Sequence, residues 1–382
     1  KKIILFIICT AIFANDKIFV VCEGNFYYND GSLWEISDNQ SFSYNYNPIG
    51  QLAQSIHVHH DNLYAIINGS GNIIKYKITA NGIVEEEVID TNGSGPRELV
   101  IYDNYLYFTN WYTADVKKIN LLTSQIENSI DMPGLPEDII IHNDILYISI
   151  TMNHDWTDGN QVVSVDPEYD SIIQLYDVGP GPGELLIHDN DIYISRTYYD
   201  DTWNSFYGTS RINTDNEVEI ANYGTGIACG GGIYSYQNSV YRVYNGGIAK
   251  LDENLQILPD TRIGEFEADN VYSAAVFDEY IYFGLSDYVG TDEVITLDYN
   301  GNQINQYEVG TLPGDFDIWR CEDSIDINQD FDVNILDIIS LANSILGNNE
   351  ISECGKINSD INEDSTLNIL DILLLTNIIL ED

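Results

Sequence analysis

The sequence predicts an all-β fold, a seven-bladed β-propeller, with a small all-α domain at its C-terminus. Three observations lead there. Tyr, Ile, Val and Asn are abundant, with 28 Tyr against 2 Met, and no long helical periodicity precedes residue 335. A short strand, a turn and a second strand carrying Tyr recur at a mean spacing of about 44 residues, at Tyr64, Tyr107, Tyr147, Tyr193, Tyr241 and Tyr282. A twelve-residue pattern rich in side-chain oxygens occurs twice near the end of the chain, and each copy runs into an apolar stretch of helix length.

The first element is a leader. Lys1-Lys2 precede an uncharged run from Ile3 to Ala14, too short to span a bilayer, and Ala14 suits a cleavage point. This predicts a signal peptide over residues 1–14, a propeller over 15–320 and a tail domain over 321–382. Lipid attachment at Cys22 would need a small residue where Val21 stands. No other segment predicts a membrane span, and export predicts a secreted or cell-surface protein in which disulfides can form.

The repeats come next. Phe19 lies one period upstream of Tyr64, which gives seven units before residue 320. One unit reads as strands Asp138–Ile141, Ile145–Ile150, Gln161–Asp166 and Ile172–Val178, with turn residues between them. Four short antiparallel strands make a propeller blade. The first unit lacks an innermost strand, and Pro313–Trp319 matches the strand that opens other units. It is expected to close the ring by pairing with Lys17–Cys22, which removes a free edge. The string Tyr107-Phe108-Thr109-Asn110, the strand Val116–Asn120 and the segment Pro136–Ile140 resemble the YVTN-type, surface-layer-like β-propeller repeat family, loosely, over residues 17–319.

In the tail the pattern is D-I-N-Q-D-F-D-V-N-I-L-D, Asp326–Asp337, and D-I-N-E-D-S-T-L-N-I-L-D, Asp360–Asp371. Oxygen side chains stand at loop positions 1, 3, 5, 9 and 12: Asp326, Asn328, Asp330, Asn334 and Asp337, then Asp360, Asn362, Asp364, Asn368 and Asp371. Position 7, Asp332 or Thr366, would add a backbone carbonyl. This is the spacing with which a tight loop gathers six or more oxygens around calcium. Helices are expected over Ile335–Leu346 and Ile369–Leu380. A loop-and-helix duplicated without a leading helix resembles a type I dockerin, over about Cys321 to Asp382. The resemblance implies calcium binding and docking to a cohesin domain, with loop positions 10 and 11 contributing to recognition. Those are Ile335-Leu336 and Ile369-Leu370, apolar enough that packing on the chain's own propeller is the alternative. The turn glycine of position 6 is replaced by Phe331 and Ser365, which predicts weaker sites, the first more than the second. Cys321 and Cys354 stand five and six residues before the two loops, and this symmetry predicts a disulfide. Cys22 and Cys229 are expected to be buried thiols.

The formal net charge of −46 argues against nucleic acid and anionic membrane as partners. Four units open with Pro96-Arg97-Glu98, Pro136-Glu137-Asp138, Pro182-Gly183-Glu184 and Pro313-Gly314-Asp315. Glu98, Asp138, Glu184 and Asp315 should therefore ring one mouth of the channel, either as a ligand site or as repeated turn caps. Loops carrying Trp111, Trp156 and Trp203 should reach the same face, and rings beside acids suit a carbohydrate or a peptide. His60, His142 and His188 fall at turns on the opposite face, and His154 on the loop-rich one. Hydrolase and phosphate-binding signatures such as H-E-x-x-H and G-x-S-x-G are missing. The sequence thus reads as a secreted, non-catalytic binding propeller docked by its tail. The alternative is a polysaccharide-degrading hydrolase or lyase with its site on the loop face.

Overall fold

The computed structural model describes residues 16–37, 40–44, 47–79, 82–226, 232–321, 325–328, 332–349, 351–362, 364 and 366–381. The predicted signal peptide, Cys229, Asp330, Phe331 and Ser365 lie outside the described residues. The chain divides into two compact units, one of Phe19–Asp317 and one that includes Ile318 onward.

Seven antiparallel sheets make the propeller. Blade 2 runs Ala53–His59, Asn62–Ile67, Asn72–Thr79, Gly82–Asp90, and blade 3 runs Pro96–Tyr102, Tyr105–Asn110, Asp115–Asn120, Gln125–Asp131. Blade 4 is Leu135–His142, Ile145–Met152, Asp158–Asp166, Ser171–Asp177, and blade 5 is Pro182–His188, Asp191–Tyr199, Ser205–Ile212, Val218–Thr225. Blade 7 is Val271–Phe277, Tyr280–Leu285, Asp292–Leu297, Gln303–Val309. Blade 1 takes its innermost strand, Pro313–Trp319, from the far end of the propeller sequence, and this pairs with Lys17–Cys22 ahead of Ser32–Ser37 and Gln40–Ser43. The ring closes as the spare segment predicted.

Blade 6 departs from the expected four strands. It has Ile233–Tyr236, Ser239–Tyr244 and Gly247–Lys250, with single bridges Leu251↔Ile257 and Ile248↔Ile263 beyond them. Pro259 has no N–H to give a ladder and opens a 3₁₀ turn, Pro259–Thr261, where the outer strand would run.

The tyrosine period has a packing cause. Tyr107 of blade 3 is buried in a cluster with Ile139, Leu146, Ile148 and Val163 of blade 4, and its hydroxyl donates to the Pro167 carbonyl at 3.1 Å. Tyr64 packs with Leu99, Leu106 and Phe108 of blade 3 in the same way, and Tyr241 with Val271, Ile281 and Phe283 of blade 7. Each ring fills the wedge between its own blade and the next, which is why the residue returns once per blade. Second strands are buried nearly throughout, as in Tyr105–Asn110, while the outer strand Ser171–Asp177 is exposed except at Tyr176.

The C-terminal unit holds helices α1 (Ile335–Ile345), α2 (Glu353–Ser359) and α3 (Ile369–Glu381) around Ile327, Leu341 and Leu375. The second loop therefore does have a leading helix, the short α2, contrary to the duplicated loop-and-helix expected. Cys321 and Cys354 form a disulfide, and the 33-residue separation it spans gives about 3–4 kcal/mol in the loop-closure picture. Cys22 is a free buried thiol, pushed up by its burial.

Ring closure generates the first prediction. A chain ending at Arg320 keeps the closing strand, and one ending at Leu312 leaves Lys17–Cys22 without its inner neighbour. The first is expected to melt cooperatively, and the second to show far lower soluble yield. Equal yields and melts would contradict closure by this segment.

Candidate functional site

A cavity of about 600 Å³ opens at one mouth of the channel. Glu98, Asp138, Glu184 and Asp315 all line it, together with Trp111 and with Asp158 and Tyr199 from the loop sides of blades 4 and 5. Three of the four blade-opening acids are held alike. Their backbone N–H groups donate to a hydroxyl on the second strand of the same blade: Glu98 to Thr109, Asp138 to Ser149 and Glu184 to Ser195, each at 3.0 Å.

Their carboxylates are not alike. Asp138 Oδ2 accepts from Leu185 N of blade 5 at 2.6 Å, and Oδ1 accepts from its own neighbour Ile139 N at 2.7 Å. Asp315 Oδ2 accepts from Ile56 N of blade 2 at 2.9 Å, and Asp317 Oδ2 from Val58 N at 2.6 Å. The Ile233 N–H of blade 6 pulls against the rise of Glu184, and the Ala274 N–H of blade 7 against that of Tyr234, without a hydrogen bond to either side chain. Elsewhere a small hydroxyl bridges the blades: Ser55 donates to Arg97 O at 2.8 Å, Thr109 to Glu137 O at 2.6 Å and Ser273 to Pro313 O at 2.5 Å. These bonds partner groups on innermost-strand edges that their own blades leave unpaired. Glu184 makes no such bond, and Glu98 is without one too. Among the described residues its carboxylate accepts no hydrogen bond, because Thr109 bridges blades 3 and 4 and Ile139 N is taken by Asp138.

Solvent exclusion pushes all four acids upward. Glu98 is raised well above the usual carboxylate range by burial first, then by the charges of Asp315, Asp138 and Glu137. Asp138 is pushed up to about 7 by burial, against the pull of the Leu185 and Ile139 N–H groups. Glu184 faces the open channel, yet enclosure by protein pushes it up to about 7, with Asp138 adding to the effect. Asp315 is raised by burial as well. The cation on the cavity wall is already engaged. Arg97 donates Nε to Glu137 at 3.0 Å, bonds Gln54 through Nη1, and stacks 4.2 Å from the Trp111 ring centroid.

The aromatic loops carry backbone strain. Asn153–Thr157 and Asp200–Asn204 form the same turn, closed by Trp156 N to Asn153 O at 2.9 Å and by Trp203 N to Asp200 O at 2.9 Å. The fourth residue needs a left-handed backbone, and matching turns place Asn216 or Gly301 there. Trp156 (φ +67°) and Trp203 (φ +63°) occupy it here, with Tyr288 at φ +64° on the blade 7 loop. A bulky side chain at such φ is disfavoured by about 1 kcal/mol or more. The rings are nonetheless outside: Trp156 is 55% and Trp203 81% exposed. Trp156 meets Trp111 edge-on at 5.9 Å, and Trp203 meets Tyr199 at 6.1 Å. Phe26, Tyr27 and Tyr28 in the corresponding loop of blade 1 are also exposed, as is Tyr112 in blade 3. The run Phe26-Tyr27-Tyr28 was the signal for them in the sequence, hidden in a chain full of tyrosine.

In the tail, Asp337 and Asp371 are fully buried. Asp364 N donates to Asp360 Oδ1 and to Asn362 Oδ1, both at 3.0 Å, so positions 1, 3 and 5 of the second loop turn inward together. Asp371 Oδ1 is buried with no hydrogen-bond partner among the described residues. A buried carboxylate oxygen left open is costly unless a cation meets it, so Asp371 fits a cation ligand, although no cluster of three or more acidic, His or Cys side chains is gathered among the described residues. Asp326, Asn328, Asp332 and Asn334 of the first loop, and Thr366 and Asn368 of the second, lie in the described segments. Asp332 O and Thr366 O each accept from the amide of the position 9 asparagine, at 3.3 and 2.8 Å.

The fold and these loops define a seven-bladed propeller joined to a module of paired cation-type loops and helices. Residues 324–380 match the family model Dockerin type I domain, and the tail is a type I dockerin. Dockerins of this type bind calcium and dock to cohesins, and proteins that carry them are usually extracellular or cell-surface associated. Among the described residues no helix is long and apolar enough to cross a membrane. No curated protein matches the chain significantly. Solved structures similar to it include a protein from Lactobacillus plantarum (8% identity, TM-score 0.59, 80% of this chain and 99% of that one). A functionally unknown protein from Desulfotomaculum acetoxidans shows 12% identity and TM-score 0.57 over 80% of this chain and 99% of that one. A hypothetical selenium-binding protein from Sulfolobus tokodaii shows 9% identity and TM-score 0.54 over 80% and 91%. At such identities the likeness is one of fold.

The acids give a signed prediction. A carboxyl raised in the folded state binds its proton to higher pH than in the unfolded chain. Stability from this source is full below about pH 4 and is lost as pH rises through about 7. Glu98→Gln is expected to be more stable than the parent at about pH 8, by about 1 kcal/mol, and to lose that advantage toward about pH 4. Asp138→Ala strands Leu185 N and Ile139 N, and should lower stability by about 1–3 kcal/mol. Denaturant melts at both pH values check the signs, and a Glu98→Gln protein weaker than the parent at the higher pH contradicts them.

Proposed function

We propose that the protein is a non-catalytic carbohydrate-binding propeller, carried to a cohesin-bearing scaffold or cell surface by its dockerin. The observation that carries the binding half is the strained tryptophan pair. Two neighbouring blades place Trp156 and Trp203 at backbone positions that favour glycine and leave the rings in solvent; neither lines the acid-lined cavity, but each meets an aromatic residue that does, Trp111 and Tyr199. Strain held at exposed rings fits a stacking role, since rings cover the apolar faces of sugars while acids accept their hydroxyl protons. Glu98 and Glu184 are the blade-opening acids left for such a contact, with Trp111 on the same cavity wall. Asp138 and Asp315 serve the ring itself through their inter-blade bonds and border the ligand.

The docking half would use the exposed apolar residues at loop positions 10 and 11. Ile335 is 64%, Leu336 48%, Ile369 61% and Leu370 51% exposed. We assign calcium to both loops through their position 1, 3, 5, 9 and 12 side chains. The resemblance to YVTN-type repeats stands on Tyr107–Asn110, where Thr109 and Asn110 have structural work: Thr109 bridges to Glu137, and Asn110 Nδ2 donates to Phe108 O at 3.1 Å.

A catalytic reading draws on one observation, the proton held by Glu98 beside other acids, which a glycosidase acid needs. A glycan array with and without calcium, followed by product analysis of each hit, separates the two. The binding reading expects retention without turnover. Trp156→Ala should abolish retention, and Trp203→Gly should abolish it while leaving stability unchanged or raised by up to about 1 kcal/mol. Retention unaffected by either change moves the site elsewhere. Turnover that Glu98→Gln removes without unfolding replaces this reading with the enzyme.

A further inference from the structure

We propose that the two dockerin loops are unequal calcium sites and that the second, Asp360–Asp371, fills first. This rests on the dockerin reading, and concerns how this chain divides the work between its loops.

The difference lies at position 12. Asp337 and Asp371 are equivalent, 34 residues apart and both fully buried. Asp337 Oδ1 accepts from Ile327 N at 2.8 Å and from Asn328 N at 3.1 Å, and its Oδ2 accepts from Asn334 N at 2.8 Å. An ion approaching it must displace N–H groups whose dipoles point the wrong way for a cation. Asp371 Oδ2 accepts from Asn368 N at 2.9 Å, but its Oδ1 has no partner among the described residues although that atom is buried. The first loop has satisfied its carboxylate from its own backbone, and the second has kept an oxygen open.

The cause is the way the chain comes into each loop. Helix α2 runs directly into position 1 of the second loop, where Asp360 caps it with its N–H on Ile357 O at 3.3 Å. Leaving a helix fixes the direction of the backbone after Asp360, so Ile361 and Asn362 are not folded over Asp371 as Ile327 and Asn328 are over Asp337. Position 6 acts in the same sense. The turn there favours a residue that tolerates φ > 0, and Phe331 is a poorer substitute for glycine than Ser365.

The test is hydrogen exchange with mass spectrometry on the full chain, stripped of metal with a chelator and titrated with calcium chloride. Segments spanning Asp360–Asp371 and α3 should gain protection at a calcium concentration at least about tenfold lower than segments spanning Asp326–Asp337 and α1. Asp371→Asn should remove the low-concentration step, and Asp337→Asn should leave it in place. Should a variant not fold, the order of protection in the parent chain decides. Simultaneous protection of both loops, or earlier protection of the first, overturns the inequality and leaves the dockerin reading intact. No calcium-dependent protection in either loop overturns both.

Discussion

The innermost strand of a propeller blade is paired on one side only. The N–H groups on its other edge need acceptors, and in a closed ring only the neighbouring blade can provide them. This chain answers with side chains: Asp138 to Leu185 N, Asp315 to Ile56 N and Asp317 to Val58 N. The answer concentrates carboxylates at one mouth of the channel, and their raised proton affinities follow from enclosing them there. The same need gives the Pro313–Trp319 strand a second task. Besides completing blade 1, it delivers Asp315 and Asp317 to blade 2.

Glu98 stands apart from these acids because no N–H of the ring, among the described residues, uses its carboxylate. It shares the backbone anchor of Asp138 and Glu184, the hydroxyl eleven residues on, and lacks the inter-blade bond of Asp138 and Asp315. An acid that the fold could replace by serine, as it does at Ser55 and Ser273, has been kept where it destabilises the ring at neutral pH. The strained tryptophans point the same way. The fold would be easier to make with glutamine in place of Glu98 and glycine in place of Trp156 and Trp203. It carries instead an uncommitted acid in the cavity and two exposed rings that meet aromatic residues of its wall. Costs of this kind gather at functional sites.

Much of this was legible in the sequence. The tyrosine period counted the blades because each ring fills one inter-blade wedge, and Pro313–Trp319 announced the closure because its pattern had no unit of its own. The twin loops announced the dockerin. The fourth strand expected in blade 6 failed at Pro259, a local stop that the period outweighed. Helix α2 was too short, with Gly355 inside it, to raise a helical pattern. The difference between Glu98 and its counterparts could not be read at all. A carboxylate's partner lies one blade away, and only the three-dimensional register says which N–H groups are free. Ser149, Ser195 and Thr109, each eleven residues after an acid, were a readable sign that the acids belong to a structural repeat.

The most direct measurement of this account is the ionisation of the channel acids themselves, followed by carbon-13 carboxyl resonances across pH in protein labelled at Asp and Glu side chains, with Glu98→Gln and Asp138→Asn used for assignment. The account predicts that Glu98 holds its proton well above the usual carboxylate range, and that Asp138 and Glu184 titrate near about 7. A Glu98 resonance that titrates in the ordinary range of about 4 would mean that its carboxylate is well solvated or partnered, and would contradict the division between ring acids and a free one.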